Sequence, residues 1–318
     1  MGESPAWRRR LIARTVAGGF QTLATAGGIT PWARPRAHGL EREDAVPYGA
    51  DPAHLVDIYK PPGPGPHPVA IYIHGGGFRT LSRRTHWIMA LAFARRGYLT
   101  FNIDYRLAPK HPFPAAAEDV CAALRWIWDN ASSYGGDLER TVVSGESAGG
   151  NLATALASMC CWRRDEPYAR EVFDLNVVPK AVLPACGILE VHEPERYLQR
   201  ERLPFWIRDR ISKVCTSYLP ADEDDATHLQ MASPLRWIER AGPPDRPLPP
   251  FFAPCGTRDP ILDDTRRLGR ALERRGVDHE IPIYVGGIHA FHAFAWTELA
   301  QRCWADHDQF LQKRDLLT

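Results

Sequence analysis

Residues 141–157 read TVVSGESAGGNLATALA: a short apolar run, a G-x-S-x-G pattern, and then a run of good helix formers. The glycines two positions before and after Ser147 let the backbone turn sharply, because they have no Cβ to clash. A serine on a strand-to-helix turn is exposed and becomes a nucleophile when a base accepts its proton. The stretch therefore predicts a strand, a tight turn and a helix, with Ser147 as a candidate nucleophile.

The sequence on either side continues this alternation of strands and helices. The predicted strands are Leu55–Tyr59, Val69–Ile73, Tyr98–Ile103, Thr141–Val143, Ala181–Leu183, Pro250–Ala253 and Glu280–Val285. The predicted helices are Thr85–Arg96, Ala115–Ala131, Ala148–Cys161, Asp263–Arg275 and Ala295–Gln312. This order is typical of an α/β fold with a mostly parallel central sheet and helices on both faces.

Two segments interrupt the alternation. Residues 1–45 show no strand pattern, and residues 190–245 are rich in charged, proline and aromatic residues. We interpret both as additions to a regular core. The start of the first segment has a loose twin-arginine pattern at Arg8-Arg9-Arg10, but Arg14 interrupts the apolar run that an export signal would need. An amphipathic N-terminal helix is favoured over an export signal.

Composition excludes several classes of function. Among 318 residues, 39 Lys and Arg balance 38 Asp and Glu, so no overall basic charge points to a nucleic-acid partner. The sequence has no apolar stretch of 18 residues, which argues against a membrane span. The seven cysteines have no metal-ligand spacing and fit reduced, buried thiols, so we expect a cytoplasmic protein without a metal site.

An acid and a base follow Ser147 in the order that a catalytic triad on this kind of sheet requires. Asp259 lies in the loop after the strand of FFAPCGTRDP, residues 251–260, and His289 ends IPIYVGGIH, residues 281–289. Asp259 read alone could be a turn or cap residue. His292 repeats the His-Ala-Phe pattern of His289 one helical turn later, so we interpret it as a packing or capping residue.

Hydrogen-bond donors for an oxyanion are expected after the strand Val69–Ile73. That strand leads into HGGGF, residues 74–78, the HGGG-type motif of lipases and esterases. Consecutive glycines leave backbone amides unhindered, and the amide of Ala148 lies at a helix N-terminus. His74 is interpreted as an anchor of this loop and not as a base.

Four blocks together resemble the hormone-sensitive lipase family of α/β-hydrolases, the bacterial carboxylesterases related to arylacetamide deacetylase. They are residues 74–78, DYRLAPKHPFPAA at 104–116, residues 145–150, and the loops of Asp259 and His289. The resemblance spans about residues 45–312. It implies a triad of Ser147, Asp259 and His289 and an oxyanion hole formed by the amides of Gly76, Gly77 and Ala148, with Gly75 as an alternative donor.

The resemblance also implies a domain organisation. Residues 1–45 and an insertion at about 190–245 would form a helical cap, and residues 46–318 the catalytic domain. One departure is visible: Glu146 stands where the family usually has aspartate, which leaves open whether it keeps the same contacts.

The resulting hypothesis is a serine carboxylesterase that needs no cofactor and hydrolyses short- to medium-chain esters through an acyl-enzyme. An amidase or deacetylase with the same triad is the first alternative. A non-catalytic small-molecule receptor on the same fold is the second, although such receptors lack the histidine that is present here as His289. An exposed C-terminal sheet edge would allow a homodimer, which the sequence does not demonstrate.

Overall fold

The computed structural model describes residues 27–317 except 29, 199–202 and 221–227. The proposed N-terminal helix and export signal lie outside these residues. Within the described part, the strands are β1 Glu41–Pro47, β2 Leu55–Lys60, β3 His67–Ile73, β4 Leu99–Ile103, β5 Gly136–Glu146, β6 Ala181–Ala185, β7 Phe251–Phe252, β8 Cys255–Gly256, β9 His279–Glu280 and β10 Ile283–Tyr284. The longer helices are Trp87–Ala94, Ala115–Asn130, Ala148–Cys161, Pro167–Asp174, Phe205–Tyr218, Pro234–Arg240, Leu262–Arg274 and Glu298–Gln312.

Eight of these strands form one sheet in the order β1-β2-β4-β3-β5-β6-β7-β9, and β8 pairs with β10 beside it. The pairings of β1 with β2 and of β2 with β4 are antiparallel, whereas the pairings from β4 to β9 are parallel. The central strands are buried along most of their length, as parallel strands covered on both faces must be. The α/β fold class with a mostly parallel sheet is confirmed.

The expectation that residues 1–45 contain no strand is wrong. Glu41–Pro47 forms the antiparallel edge strand β1, paired with β2 through Glu41 and Lys60 at one end. Its first four residues, Glu41-Arg42-Glu43-Asp44, are all exposed, so the strand lacks the alternation of apolar and polar residues that identifies a half-buried strand. Charged residues of this kind protect a sheet edge from pairing with other chains.

The strand predicted at Glu280–Val285 is divided into β9 and β10. Pro282 lies between the two pieces, and proline has no backbone N–H for the sheet. Pro254 separates β7 from β8 in the same manner. The two interrupted strands run side by side, with Phe251 paired with His279 and Cys255 paired with Ile283.

The parallel register brings the carboxyl ends of the central strands to one edge of the sheet. Ile73 at the end of β3 pairs with Gly145 in β5, and Glu146 at the end of β5 pairs with Ala185 at the end of β6. The loops that follow β3, β5, β8 and β10 therefore emerge at this edge. They carry residues 74–78, Ser147, Asp259 and His289.

Candidate active site

Ser147 is the single residue between β5 and the helix Ala148–Cys161. Its backbone has φ 52° and ψ −115°, a region that residues other than glycine rarely occupy. Its amide donates to the carbonyl of Ala185 at 3.0 Å, and its carbonyl accepts from Asn151 at 3.1 Å. Packing and hydrogen bonds on both sides thus hold a strained turn that presents a hydroxyl, an arrangement typical of functional sites.

Two glycines make this turn sterically possible. A Cβ on Gly145 would lie 2.4 Å from the carbonyl oxygen of Gly149, and a Cβ on Gly149 would lie 2.0 Å from that of Ile73. Both separations are far below van der Waals contact. The glycines of the G-x-S-x-G pattern are therefore required because strand and helix backbones approach each other closely at Ser147.

Asp259 and His289 lie next to each other, although 30 residues separate them in the chain. His289 Nδ1 lies 2.9 Å from Asp259 Oδ2, and Asp259 Oδ1 accepts from the amide of Ile261 at 2.9 Å. The Asp259 side chain is fully buried, whereas the His289 side chain is 37% exposed. Both oxygens of the Asp259 carboxylate therefore have a hydrogen-bond partner. The carboxylate orients His289 through Nδ1, while the imidazole remains partly exposed to solvent.

The charge of Asp259 changes the basicity of His289. Removal from water lowers the pKa of His289, but the neighbouring carboxylate outweighs this effect and raises the pKa above its ordinary value of 6.5. An imidazolium at this position is therefore stabilised. This is the property that a base needs when it takes a proton from a hydroxyl group.

The HGGG loop places two glycines at the same site. Gly76 has φ 118° and Gly77 has φ 62°. A Cβ on Gly76 would lie 1.9 Å from the carbonyl oxygen of Thr80, and one on Gly77 would lie 2.6 Å from the side chain of Val214. Within the described residues, the backbone hydrogen bonds of this loop do not use the amides of Gly76 and Gly77 as donors.

Gly75 has a different environment. Its amide donates to His86 Nε2 at 3.3 Å, and His86 Nε2 lies 3.1 Å from Glu146 Oε1. The described lining of the adjoining cavity includes Gly76 and Gly77 but not Gly75. The alternative that Gly75 is an oxyanion donor is therefore less favoured than Gly76 and Gly77.

His74 anchors the loop from beneath. It is buried, its Nδ1 donates to the carbonyl of Gly75 at 2.7 Å, and its ring stacks on Tyr105 with centroids 4.3 Å apart. Burial lowers the pKa of His74 to about 3, so the ring is neutral at physiological pH. The contacts agree with the expected structural role of this histidine.

Glu146 links three loops behind the serine. Besides the contact with His86, its Oε2 lies 3.4 Å from His292 Nε2, and all three side chains are buried. Burial lowers the pKa of His292, and this histidine faces Glu146 and not Asp259. His86 is not among the site residues predicted from the sequence. The residues around it do not indicate its contact with Glu146, which lies 60 positions later in the chain.

A cavity of about 510 Å³ connects these groups. Its lining includes Gly76, Gly77, Ser147 and His289. The helix Phe205–Tyr218 forms another part of the wall through a set of mainly apolar side chains: Trp206, Ile207, Arg210, Ile211 and Val214. This helix therefore gives the cavity that contains Ser147 a mainly apolar wall, the usual character of a small-molecule pocket.

Other sequence expectations concern the cysteines and the membrane. All seven cysteines are free thiols and buried. In the part of the chain that the structure describes, no helix is both long enough and apolar enough to cross a bilayer.

Comparison with known proteins places this geometry in context. A family profile described as the alpha/beta hydrolase fold matches residues 70–293. Carboxylesterase NlhH of Mycobacterium tuberculosis is 32% identical over 243 residues, which are 76% of this chain and 72% of that protein. An ethyl acetate hydrolase of Pseudomonas putida is 30% identical over 241 residues, 74% of this chain and 70% of its own. The crystal structure of esterase LipW from Mycobacterium marinum superposes with a TM-score of 0.75 at 25% identity, covering 98% of this chain and 91% of that one.

Proposed function

The chain belongs to the hormone-sensitive lipase family of α/β-hydrolases and is a carboxylic ester hydrolase, and we propose that it cleaves short- to medium-chain esters with Ser147 as nucleophile. The observation that carries this proposal is a strained serine that opens into the same cavity as a histidine paired with a buried aspartate.

In the proposed reaction, His289 takes the proton of Ser147 while the serine oxygen attacks the ester carbonyl. The amides of Gly76, Gly77 and Ala148 stabilise the oxyanion, and the loss of one such donor typically costs about 3 kcal/mol in the barrier. His289 then protonates the leaving alcohol, and water repeats the sequence on the acyl-enzyme. Asp259 holds His289 with the proton on Nδ1, so that Nε2 is free to act as base.

Pocket size supports the proposed substrate range. A cavity of about 510 Å³ lined mainly by apolar groups holds a small acyl chain together with a small alcohol. Relatives named ethyl acetate hydrolase and acetyl esterase are in agreement with short acyl groups. We interpret residues 190–245, together with the part of residues 1–45 that precedes β1, as a cap over this cavity.

A series of p-nitrophenyl esters from acetate to palmitate tests the substrate range. We expect kcat/KM to be highest below about ten carbons, because a longer chain exceeds a pocket of a few hundred cubic ångströms. An anilide of the best acyl group tests the amidase alternative, and a fluorophosphonate probe tests the receptor alternative. A maximum at palmitate, or faster anilide than ester cleavage, would overturn the proposal, as would the absence of labelling at Ser147.

The pH profile tests the proposed base. His289 must be neutral to accept a proton, and its pKa is raised above 6.5, so kcat/KM should fall as pH decreases through a value higher than 6.5. The measurement is kcat/KM on one short ester from pH 5 to 9, with circular dichroism at each pH as a control for unfolding. If kcat/KM of the folded protein decreased only through a pH below 6.5, this would contradict the role of the Asp259–His289 pair.

A further inference from the structure

A thiol lies beside the Asp259–His289 pair that the proposed mechanism does not use. Cys186 directly follows β6, is fully buried, and has φ 38°. Its amide donates to the carbonyl of Pro254 at 2.9 Å, which fixes the residue against the strands that carry Asp259. The backbone of Cys186 is therefore fixed at the edge of the sheet.

The three side chains offer one sulfur, one oxygen and one nitrogen to a common point. Cys186 Sγ, a carboxylate oxygen of Asp259 and a ring nitrogen of His289 all lie within 4.8 Å of one another. Ligand atoms on a tetrahedral zinc ion are about 3.5 Å apart, since each lies 2.0–2.3 Å from the metal. Small side-chain shifts bring this set to zinc-binding distances.

We infer that Cys186, Asp259 and His289 form an inhibitory binding site for Zn²⁺ or a similar thiophilic divalent cation. The mixed sulfur, nitrogen and oxygen donors match the ligands of zinc, whereas Mg²⁺ and Ca²⁺ prefer oxygen alone. His289 is partly exposed and lines the cavity, so the site adjoins a space from which a cation can enter.

The proton balance explains the inhibition. The Cys186 thiol loses its proton to solvent and binds the metal as thiolate. His289 binds through Nδ1, so its single proton moves to Nε2, and the ring can no longer accept the proton of Ser147. Asp259 exchanges its hydrogen bond with His289 for the metal. Binding of zinc depends only on these three side chains, whereas loss of hydrolysis rests on the proposed function.

The test compares zinc inhibition of the wild type with that of Cys186→Ala and Cys186→Ser, each rate being normalised to the same protein in EDTA. Removing one ligand should raise the half-inhibiting Zn²⁺ concentration by about tenfold or more, as the loss of a metal-site residue commonly does. Cys121→Ala, which removes a buried thiol in the core, is the matched control and should keep the wild-type sensitivity. Mg²⁺ at the same concentration should not inhibit.

A binding measurement separates this inference from the proposed function. Zinc affinity is measured by competition with a chromophoric chelator in Ser147→Ala protein, with and without Cys186→Ala. We expect the second substitution to weaken zinc binding even though neither protein hydrolyses esters. Equal zinc affinity of the two proteins, or equal inhibition of wild type and both Cys186 variants, would overturn the site. An inactive wild type that still binds zinc through Cys186 would instead reject only the esterase proposal.

Discussion

Replacing Ser147 by alanine is expected to lower kcat for short esters by about 10⁴-fold or more, because the variant has no oxygen to form the acyl-enzyme. The residual rate would come from substrate binding and from the amides of the oxyanion hole, which remain in place. Alanine keeps the Cβ and the backbone hydrogen bonds of the turn and loses only the hydroxyl oxygen, so the fold should be retained. The measurement is the initial rate on p-nitrophenyl butyrate together with thermal unfolding of both proteins.

Ser158→Ala is the matched control for this substitution. Ser158 lies in the same helix, is fully buried, and donates only to the carbonyl of Thr154 at 2.8 Å. Its loss should leave kcat within about twofold, since a single intrahelical side-chain hydrogen bond contributes about 1 kcal/mol to stability and none to the reaction. If folded Ser147→Ala protein kept more than a tenth of the wild-type kcat, Ser147 would not be the nucleophile.

Replacing Asp259 by asparagine is expected to cost about 10⁴-fold in kcat, an effect that comes from the tautomer of His289 and not from a loss of structure. The asparagine oxygen can still accept from the amide of Ile261. Its NH₂ group would then face His289 Nδ1, at the place of the oxygen that now lies 2.9 Å away. The histidine would have to present a bare Nδ1 and carry its proton on Nε2, where it cannot accept a proton from Ser147.

The control for this substitution is Asp263→Asn, which removes a carboxylate four residues later at the start of the helix Leu262–Arg274. Because Asp263 is not among the described residues that line the cavity, we expect kcat within about twofold of wild type and a small loss of stability at the helix terminus. The decisive comparison is kcat and the rate of fluorophosphonate labelling in both variants. Equal activity of Asp259→Asn and Asp263→Asn would show that the Asp259 carboxylate does not orient the base.

Much of the fold could be predicted because its signals are local. The helix Ala148–Cys161 was predicted with both of its ends, and the central strands were found from their short apolar runs. The helix Phe205–Tyr218 is not among the helices predicted from the residues, and only the family resemblance implies helices in this segment, although its buried residues Ile211, Cys215 and Tyr218 recur at helical intervals. β1 is not predicted because its first four side chains are exposed and charged.

In the candidate site, too, features with a local sequence signal could be predicted and contacts between distant residues could not. Ser147, Asp259 and His289 could be selected because each follows a predicted strand in the required order. The link from Glu146 to His86 and His292 and the position of Cys186 beside the triad could not. Those contacts join residues between 60 and 146 positions apart, and no local pattern encodes such a contact.

By itself, the sequence determined the turn at Ser147, the order of strands and helices, and the ends of the strands where functional residues could lie. These depend on steric limits of glycine, on hydrophobic periodicity and on chain order, all of which act over a few residues. Only the tertiary structure decided which side chains meet at the edge of the sheet, which helix closes the cavity, and how buried each group is. Packing decides these properties because burial and charge proximity, which set the pKa of His289, arise only when distant segments exclude water together.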